Sequence, residues 1–419
     1  MLMKLSEDLL WRGLIKDKTF DDPAFLDAPK KFYWGVDPSS DSLTIGNLAP
    51  LLLAKRLAIA GWEAVLLVGG ATSLIGDPGG KDAERPLLPR EEVQKNAAAI
   101  KAQVSRLFSD QQFSLVDNYD WFKDVGYLDF LRDVGKHFSM TELLQREFIS
   151  ERLGESGPGI SYAEFSYSLI QGYDFWYLYK NNGVQLQIGG SDQWGNMLSG
   201  VSLIRKKEGG EAHALSMPLV VNKATGKKFG KSEAGTIWLD PAKTTETEFR
   251  QFWINVDDAD VGDFLKVFTF ISKEEFDELM GRHASHPENR EAQKYLADKV
   301  TELVFGDQNQ ESAREIQKVL TGETPVESLN REMIDKLRSE IPVHTSNGSV
   351  VDALVSTGLA SSNSEARRLL SSGAVYINGQ STNSEQFHPE DFKNHRLLLR
   401  RGKEFRHSAI IEEFDEIGG

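Results

Sequence analysis

Apolar residues fall along the first seventy positions in two rhythms. Phe32-Tyr33-Trp34-Gly35-Val36 and Ala64-Val65-Leu66-Leu67-Val68 are continuous apolar runs of strand length, the pattern of strands covered on both faces of a parallel sheet. Between them, from about Leu48 to Ala60, apolar positions take a helical spacing that closes at Gly61. Strand, polar turn, helix, strand is a βαβ unit, right-handed by default, with any ligand site beyond the carboxyl ends of its strands. A third run, Val184-Gln185-Leu186-Gln187-Ile188, follows a long, aromatic-rich and mostly helical insertion over roughly residues 91–180. The first half therefore reads as α/β.

The pattern changes in the second half. From about Thr245 to Leu320 it is helical throughout, and Ser272-Lys273-Glu274-Glu275 has the form of an N-cap and first turn. Residues 322–349 mix Pro, Ser, Thr and Gly around one amphipathic helix near Leu329 to Arg338, and read as a linker region. A last unit of about 70 residues holds two short helices, Asp352 to Thr357 and Ser364 to Leu370. Gly373-Ala374-Val375-Tyr376-Ile377 then forms a strand running into Asn378-Gly379, the dipeptide of a tight hairpin turn, and Leu397-Leu398-Leu399 forms another.

Composition narrows the functional classes. With 419 residues, 40% apolar and 26% charged, the chain is an ordinary globular protein of two or three domains. The absence of cysteine excludes disulfides and thiolate chemistry. A net charge of -15 argues against a general nucleic-acid binder, so any RNA site must be a local basic patch. No run reaches the length of a membrane span, and the acidic start lacks the features of a secretory or mitochondrial leader, so a cytoplasmic enzyme with no membrane partner is expected.

Five segments carry candidate chemistry. Lys223-Ala224-Thr225-Gly226-Lys227-Lys228-Phe229-Gly230-Lys231-Ser232 is a glycine-containing cationic loop able to clamp phosphates, though its spacing is not that of a P-loop and a solvated hairpin is the plain alternative. The turn Asp37 to Gly46 feeds a helix N-terminus, a natural anion site, although Asp41, Ser42 and Thr44 also suit simple capping. The glycine-dense loop from Gly69 to Lys81, with Asp77 inside it, allows close backbone approach to a ligand or merely shapes the chain. Tyr167, Gln171 and Asp174, spaced i, i+4, i+7, share one helix face, and Ser191-Asp192-Gln193 follows the third strand. A satisfied Tyr–Asp core pair is the alternative for that face. Together these segments describe a nucleotide-using α/β enzyme, a kinase or ligase, with a polar-aromatic pocket. A purely structural protein has no need of so many glycines after buried strands.

The same stretches resemble the bacterial-type tyrosyl-tRNA synthetases, class I aminoacyl-tRNA synthetases, over nearly the whole chain. The resemblance is carried by Tyr33-Trp34-Gly35-Val36-Asp37-Pro38, by Val68-Gly69-Gly70-Ala71-Thr72 through Ile75-Gly76-Asp77-Pro78, and by Phe130 to His137. It continues in Gln187-Ile188-Gly189-Gly190-Ser191-Asp192-Gln193-Trp194-Gly195-Asn196, in Gly235 to Asp240, and in the second class I signature Lys228-Phe229-Gly230-Lys231-Ser232. It implies a Rossmann-like parallel-sheet catalytic domain over 1–222 and a signature loop and connection over 223–242. An α-helical anticodon-side domain over 243–325, a linker over 326–348 and a small α+β S4-like RNA-binding domain over 349–419 would follow.

Carried onto this chain, the family's pocket implies Tyr33 and Asp174 on the substrate phenol and Asp77, Tyr167 and Gln171 on its ammonium. Gln187 and Gln193 would line the pocket, Asp192 would take the adenylate ribose, and Gly35, Asp37, Ser39 and Gly46 would contact the nucleotide. Lys81 and Arg85 would help bind tyrosine and ATP, and Lys228 and Lys231, supported by Ser232, would grip the departing diphosphate. The implied reaction takes L-tyrosine and ATP, with Mg²⁺ accompanying ATP and no tightly bound protein metal, and delivers tyrosine to tRNA(Tyr). A homodimer is implied as well. Arg367 and Arg368, with Lys393, Arg396, Arg400, Arg401, Lys403 and Arg406, would form the RNA-binding patch.

One departure stands out. The family's first signature has two histidines flanking Ile-Gly, and here it reads Thr44-Ile45-Gly46-Asn47. A neighbouring reading is a relative with weakened catalysis that acts mainly as an RNA-binding protein. Retention of Tyr33, Asp77, Gln171, Asp174, Lys228 and Lys231 together favours the ligase, and the Tyr33–Asp174 pair disfavours tryptophan as substrate.

Overall fold

The computed structural model describes residues 3–77, 87–154, 159–223, 229, 231–232, 235–402 and 407–413. They form two compact units, Met1–Lys243 with Val256–Ala292, and Thr244–Asn255 with Gln293–Gly419.

In the first unit, strands β1 (Asp17–Lys18), β2 (Lys31–Val36), β3 (Glu63–Val68), β4 (Phe113–Asp117), β5 (Leu186–Gly190) and β6 (His213–Met217) make one sheet, ordered β1-β6-β5-β2-β3-β4. Strands β2 to β6 are parallel and β1 lies antiparallel on β6. From β2 the chain steps outward to β3 and β4, then returns to β5 on the opposite edge of β2. The direction of winding therefore reverses between β2 and β5, which opens a crevice at their carboxyl ends. The α/β reading holds. Two parallel strands had no clear sequence signal: β4 is an edge strand and only partly covered, so its apolar run is broken by Ser114 and Asp117, and β6 contains a histidine and a serine.

Helix Ile45–Ile59 connects β2 to β3 and is buried on most sides, including Leu48, Leu51, Leu52 and Leu53. It begins three residues before the apolar periodicity does, because Thr44 and Asn47 close its N-terminus. A two-strand ribbon, β7 (Lys231–Ser232) and β8 (Gly235–Thr236), begins at the last two residues of the lysine loop. Ser272 caps helix Lys273–Ser285 as its sequence foretold, with the Glu275 carboxylate returning to the Ser272 N–H at 3.1 Å.

The second unit carries a sheet of β9 (Val343–Thr345), β10 (Val375–Ile377), β11 (Gln380–Thr382), β12 (Arg396–Arg401) and β13 (Ser408–Glu412), ordered β11-β10-β12-β13-β9. Successive residues of β12 serve opposite faces, as the pleat requires. Leu397 and Leu399 pack with helices Val350–Ser356 and Asn363–Ser371, while Leu398 joins Ile316, Ile334 and Leu337. The stretch expected as a linker thus carries helix Arg331–Glu340, which buries Ile334 and Leu337, and strand β9, paired parallel to β13. Between β10 and β11, Asn378 and Gly379 have φ of 48° and 83°, the double left-handed turn that an Asn-Gly pair encodes. Among the described residues no helix is long and apolar enough to cross a membrane.

Candidate functional site

A cavity of about 470 Å³ opens at the carboxyl ends of β2 and β5, within the size range of small-molecule sites. Its walls include Tyr33, Gly35, Asp37, Ser39, Thr44, Gly46, Asn47, Asp77, Tyr167, Gln171, Asp174, Gln187, Asp192 and Gln193. Four separated stretches of sequence therefore meet at the crevice that the sheet topology creates. Lys81, Arg85 and Lys228 lie outside the described residues, and Lys231 and Ser232 form β7.

At the inner end, Tyr33 on β2 and Asp174 on helix Tyr162–Asn182 are each 2% exposed. Asp174 accepts from Trp121 Nε1 at 2.9 Å and from Asn118 Nδ2 at 3.1 Å, which leaves each carboxylate oxygen further capacity. Burial pushes its carboxyl well above the usual carboxylate range, and the two donors partly oppose that shift. The Tyr33 phenol is also pushed upward, by burial first and then by Asp174, so it stays a neutral donor at physiological pH. Its hydroxyl has no hydrogen-bond partner among the described residues, nor do Gln171 Oε1 and Gln187 Oε1. Three unpaired polar atoms in one cavity would be costly in a core and suit a site that receives a polar ligand.

In the middle of the cavity the carboxylates are held by side chains from other elements. Asp37 accepts from Thr72 Oγ1 at 2.6 Å and from the Tyr167 hydroxyl at 2.8 Å. The Tyr167 phenol is pushed well up by burial and by Asp37. Gly69 permits this approach, since a Cβ there would stand 2.1 Å from Thr72 Oγ1 and 2.2 Å from Asp37 Oδ1. Asp77 accepts from Gln193 Nε2 at 2.6 Å, Gln193 Oε1 from Asn196 at 3.2 Å, and Asn196 Oδ1 from Ser168 at 2.7 Å. The array holds two carboxylates, Asp37 and Asp77, fixed at the cavity wall.

At the outer end, Thr44 is the N-cap of helix Ile45–Ile59. Its N–H and its hydroxyl both donate to Asn47 Oδ1, each at 3.0 Å. Asn47 is left with its Nδ2 protons, and Thr44 with acceptor capacity only. Main-chain bonds from Ile45 N to Ile237 O and from Leu239 N to Leu43 O tie this turn to the segment after β8.

Sequence reading missed Asn118 and Trp121, which hold Asp174, and Ser168, which orients the amide chain. Asn118 also accepts from Ala71 N at 2.7 Å and donates to Thr72 Oγ1 at 3.1 Å, so it joins the glycine-dense loop to the pocket floor. Its only signal was position, one residue beyond the end of β4, and β4 itself was hard to see. Among the described residues no group of three or more His, Asp or Glu side chains is placed to hold a metal ion.

In the second unit, Arg368 and Lys393 are exposed, Arg367 pairs with Glu385 at 3.2 Å and Arg396 is half-buried. Arg401 is occupied by Leu359 O at 2.9 Å and by Glu365 at 3.4 Å. Arg400 is buried, donating to Leu320 O at 2.8 Å beneath the Tyr376 ring, so the fold spends this cation on itself. Lys403 and Arg406 lie outside the described residues.

Known proteins place this architecture. A family model described as tRNA synthetases class I (W and Y) matches residues 27–321, and one described as the tyrosine–tRNA ligase SYY-like C-terminal domain matches 333–406. The tyrosine–tRNA ligase of Listeria monocytogenes serotype 4a is 42% identical over 416 residues, covering 96% of this chain and 98% of its own. That of Limosilactobacillus reuteri is 41% identical over 428 residues, covering 98% and 100%. A C-terminally truncated Aspergillus nidulans mitochondrial tyrosyl-tRNA synthetase superposes with a TM-score of 0.67 at 29% identity, over 75% of this chain and 93% of that one.

Proposed function

The chain belongs to the tyrosine–tRNA ligases, a family of class I aminoacyl-tRNA synthetases, and we propose that its cavity divides the work between a phenol end and a nucleotide end. The enzyme joins L-tyrosine to ATP, releases diphosphate, and passes the tyrosyl group to tRNA(Tyr). In the first step a tyrosine carboxylate oxygen bonds to the α-phosphorus of ATP as the bond to the diphosphate breaks. In the second, a terminal ribose hydroxyl of the tRNA attacks the carbonyl of the mixed anhydride and AMP leaves. Mg²⁺ arrives with ATP as part of that substrate.

Neither step needs a protein nucleophile, so residues act by position and charge. Asp174 accepts the substrate's phenolic proton while the Tyr33 hydroxyl donates to the phenol oxygen. Asp77 receives the ammonium, with Tyr167 and Gln171 beside it, and Gln187 and Gln193 complete the wall. Asp192 takes the ribose, and Gly35, Asp37, Ser39 and Gly46 line the nucleotide's path. Lys228 and Lys231, with Ser232, neutralise the leaving diphosphate, while Lys81 and Arg85 help bind tyrosine and ATP. The observation that carries this reading is the convergence of Tyr33 Oη, Gln171 Oε1 and Gln187 Oε1, all without partners among the described residues, on one cavity with buried Asp174. Phenylalanine would leave the Tyr33 hydroxyl unpaired and offer Asp174 no further donor, which is the physical basis for rejecting it. Exchange of labelled pyrophosphate into ATP, run with each of the twenty amino acids, tests the assignment. Tyrosine alone should support exchange; exchange with none would transfer the weight to an RNA-binding role.

The functional particle is a homodimer. In support, Tyr127, Leu128, Met140, Leu144, Leu153 and Tyr162 are exposed apolar side chains within one stretch of the first unit, more than isolated surface residues require. Leu128→Asp should shift sedimentation toward the monomer, and an unchanged dimer would remove Leu128 from the interface. The tRNA contacts fall to the exposed cations Arg367, Arg368 and Lys393 and to half-buried Arg396, with Lys403 and Arg406, and weaken with salt.

A further inference from the structure

Helix Arg90–Leu107 buries an apolar face that includes Val93, Ile100 and Val104, yet two amides, Asn96 and Gln103, are buried with it. They stand seven residues apart, about 10.5 Å along the axis, and so lie on the same side of the helix. Both meet the turn that leads from β2 into helix Ile45–Ile59. Asn96 Nδ2 donates to Pro38 O at 3.3 Å. Gln103 Oε1 accepts from Leu43 N at 2.8 Å, and Gln103 Nε2 donates to Ser42 Oγ at 3.0 Å. Ser42 Oγ in turn donates to Leu43 O at 2.9 Å, so the bonds run in one direction and fix which way round the Gln103 amide lies.

The same helix also holds the segment to which this turn is bound. Leu239 N donates to Leu43 O, and Arg106 Nη2, three residues on from Gln103, donates to Leu239 O at 3.3 Å. Lys243 pairs with Asp41 in the turn and lies over the Trp238 ring, 4.8 Å from its centre. Ser42, Leu43 and Ile45 are all buried, so their main-chain N–H and C=O groups depend on protein partners. The Gln103 amide is therefore the partner that the Leu43 N–H requires in a turn with no regular pairing of its own.

Ser39 follows Pro38 directly, Thr44 follows Leu43 directly, and Ser39, Thr44, Gly46 and Asn47 all line the cavity. We propose that Gln103, assisted by Asn96, is a positioning residue for adenylate formation: the two amides pin the main chain at Leu43 and Pro38 and so set where the nucleotide-side turn stands. The inference rests on the ligase reading above. Thr44 and Asn47 bond to each other, and consecutive Cα atoms are only about 3.8 Å apart, so a shift at Leu43 carries this pair with it. A turn fixed before ATP arrives loses little freedom as charge develops at the α-phosphorus. The inner end draws Tyr33, Asp174 and Gln187 from β2, helix Tyr162–Asn182 and β5, so the effect falls on the nucleotide and leaves tyrosine binding alone.

Single-turnover adenylate formation by the full-length enzyme, expressed per titrated active site, reads this directly, with tyrosine affinity taken from equilibrium dialysis. Gln103→Met keeps the side chain's length and removes both bonds; it should slow adenylate formation about tenfold at saturating tyrosine and leave tyrosine affinity within about twofold. Ser42→Ala, a milder change to the same network, should slow it about threefold and serves as the test should Gln103→Met fail to fold. The double variant should be little worse than Gln103→Met, because both changes break one shared bond. Ile100→Val trims the same buried helix face without removing any of these hydrogen bonds, and its rate per site should equal that of the wild type. An unchanged rate in both Gln103→Met and Ser42→Ala, an equal loss in Ile100→Val, or a tyrosine affinity that falls in step with the rate would overturn the proposal. If the wild-type enzyme forms no tyrosyl-adenylate the ligase reading fails, whereas if it does and the variants match it only the role of Gln103 fails.

Discussion

At the inner end of the cavity Tyr33, Asp174 and Gln187 are 2–3% exposed, and their polar atoms face one another's space across three elements of the fold. At the outer end Thr44 and Asn47 are half-buried, three residues apart, and spend their hydrogen bonds on each other. The inner end is thus poised for a ligand whose groups it lacks, while the outer end is locally self-satisfied. A buried polar group left unpaired costs about 1–3 kcal/mol, whereas a surface pair exchanges with water at little loss. If the cavity works as proposed, recognition of the amino acid is demanding and contact with the nucleotide at Thr44 lenient, so that identity and rate are set in different places.

The largest effect should come from Asp174→Asn. The amide cannot accept the phenolic proton with the strength of a carboxylate, and it sets its own N–H groups against Trp121 or Asn118. A loss of roughly 2–3 kcal/mol corresponds to a fall in kcat/KM for tyrosine of about a hundredfold. Steady-state exchange kinetics would show it, with the ATP KM little altered, and a change below threefold would mean that this end does not recognise the phenol.

Thr44→His comes next. If the histidine gains one contact to the nucleotide worth about 1–2 kcal/mol, the rate of adenylate formation should rise roughly ten- to thirtyfold in single-turnover measurements, with tyrosine affinity unchanged. A rate unchanged or lowered would show that Asn47 and Ser39 already supply what the outer end needs, or that losing the Thr44 cap costs as much as the new contact returns.

The smallest effect concerns pH. In the proposed reading Asp174 acts as the charged acceptor, and burial raises its pKa, so protonation begins at a higher pH than for an ordinary carboxylate. As pH falls, the tyrosine KM should therefore rise several-fold, through a midpoint above the ordinary carboxylate range. The limb should vanish in Asp174→Asn, since neither Thr44 nor Asn47 titrates in the wild-type enzyme. The same acid limb in Asp174→Asn would assign it to another group.

Much of this was legible before any coordinates. The helix face Tyr167, Gln171, Asp174 follows from a 3.6-residue period, the Asn378-Gly379 turn from the few residues that tolerate left-handed φ, and the Ser272 cap from side-chain reach. These are short-range consequences of chain geometry. Phe113–Asp117 and His213–Met217 were hidden because their pairing comes from strands 45 or more residues away in sequence for the first, and from β5 and β1 for the second, not from their own apolar pattern. With the first went Asn118 and Trp121, since a residue that follows an unseen strand has no recognisable place. Arg400 shows the converse, a cation whose sequence context suggested RNA and whose burial ties it to Leu320 instead.

The chain's own order of residues thus sets the element types, the glycines that allow close approach, and the chemical groups available for tyrosine and ATP. It also carries the altered Thr44–Asn47 signature, whose chemistry needs no coordinates to notice. Only the folded sheet decides that winding reverses between β2 and β5, and hence that Tyr33, Asp77, Asp174 and Gln187 share one cavity. The same folding decides which polar atoms are consumed internally and which remain to meet a substrate. Covalent neighbours and helical period act over a few residues, whereas burial and hydrogen-bond satisfaction depend on partners that the chain meets only when the core closes.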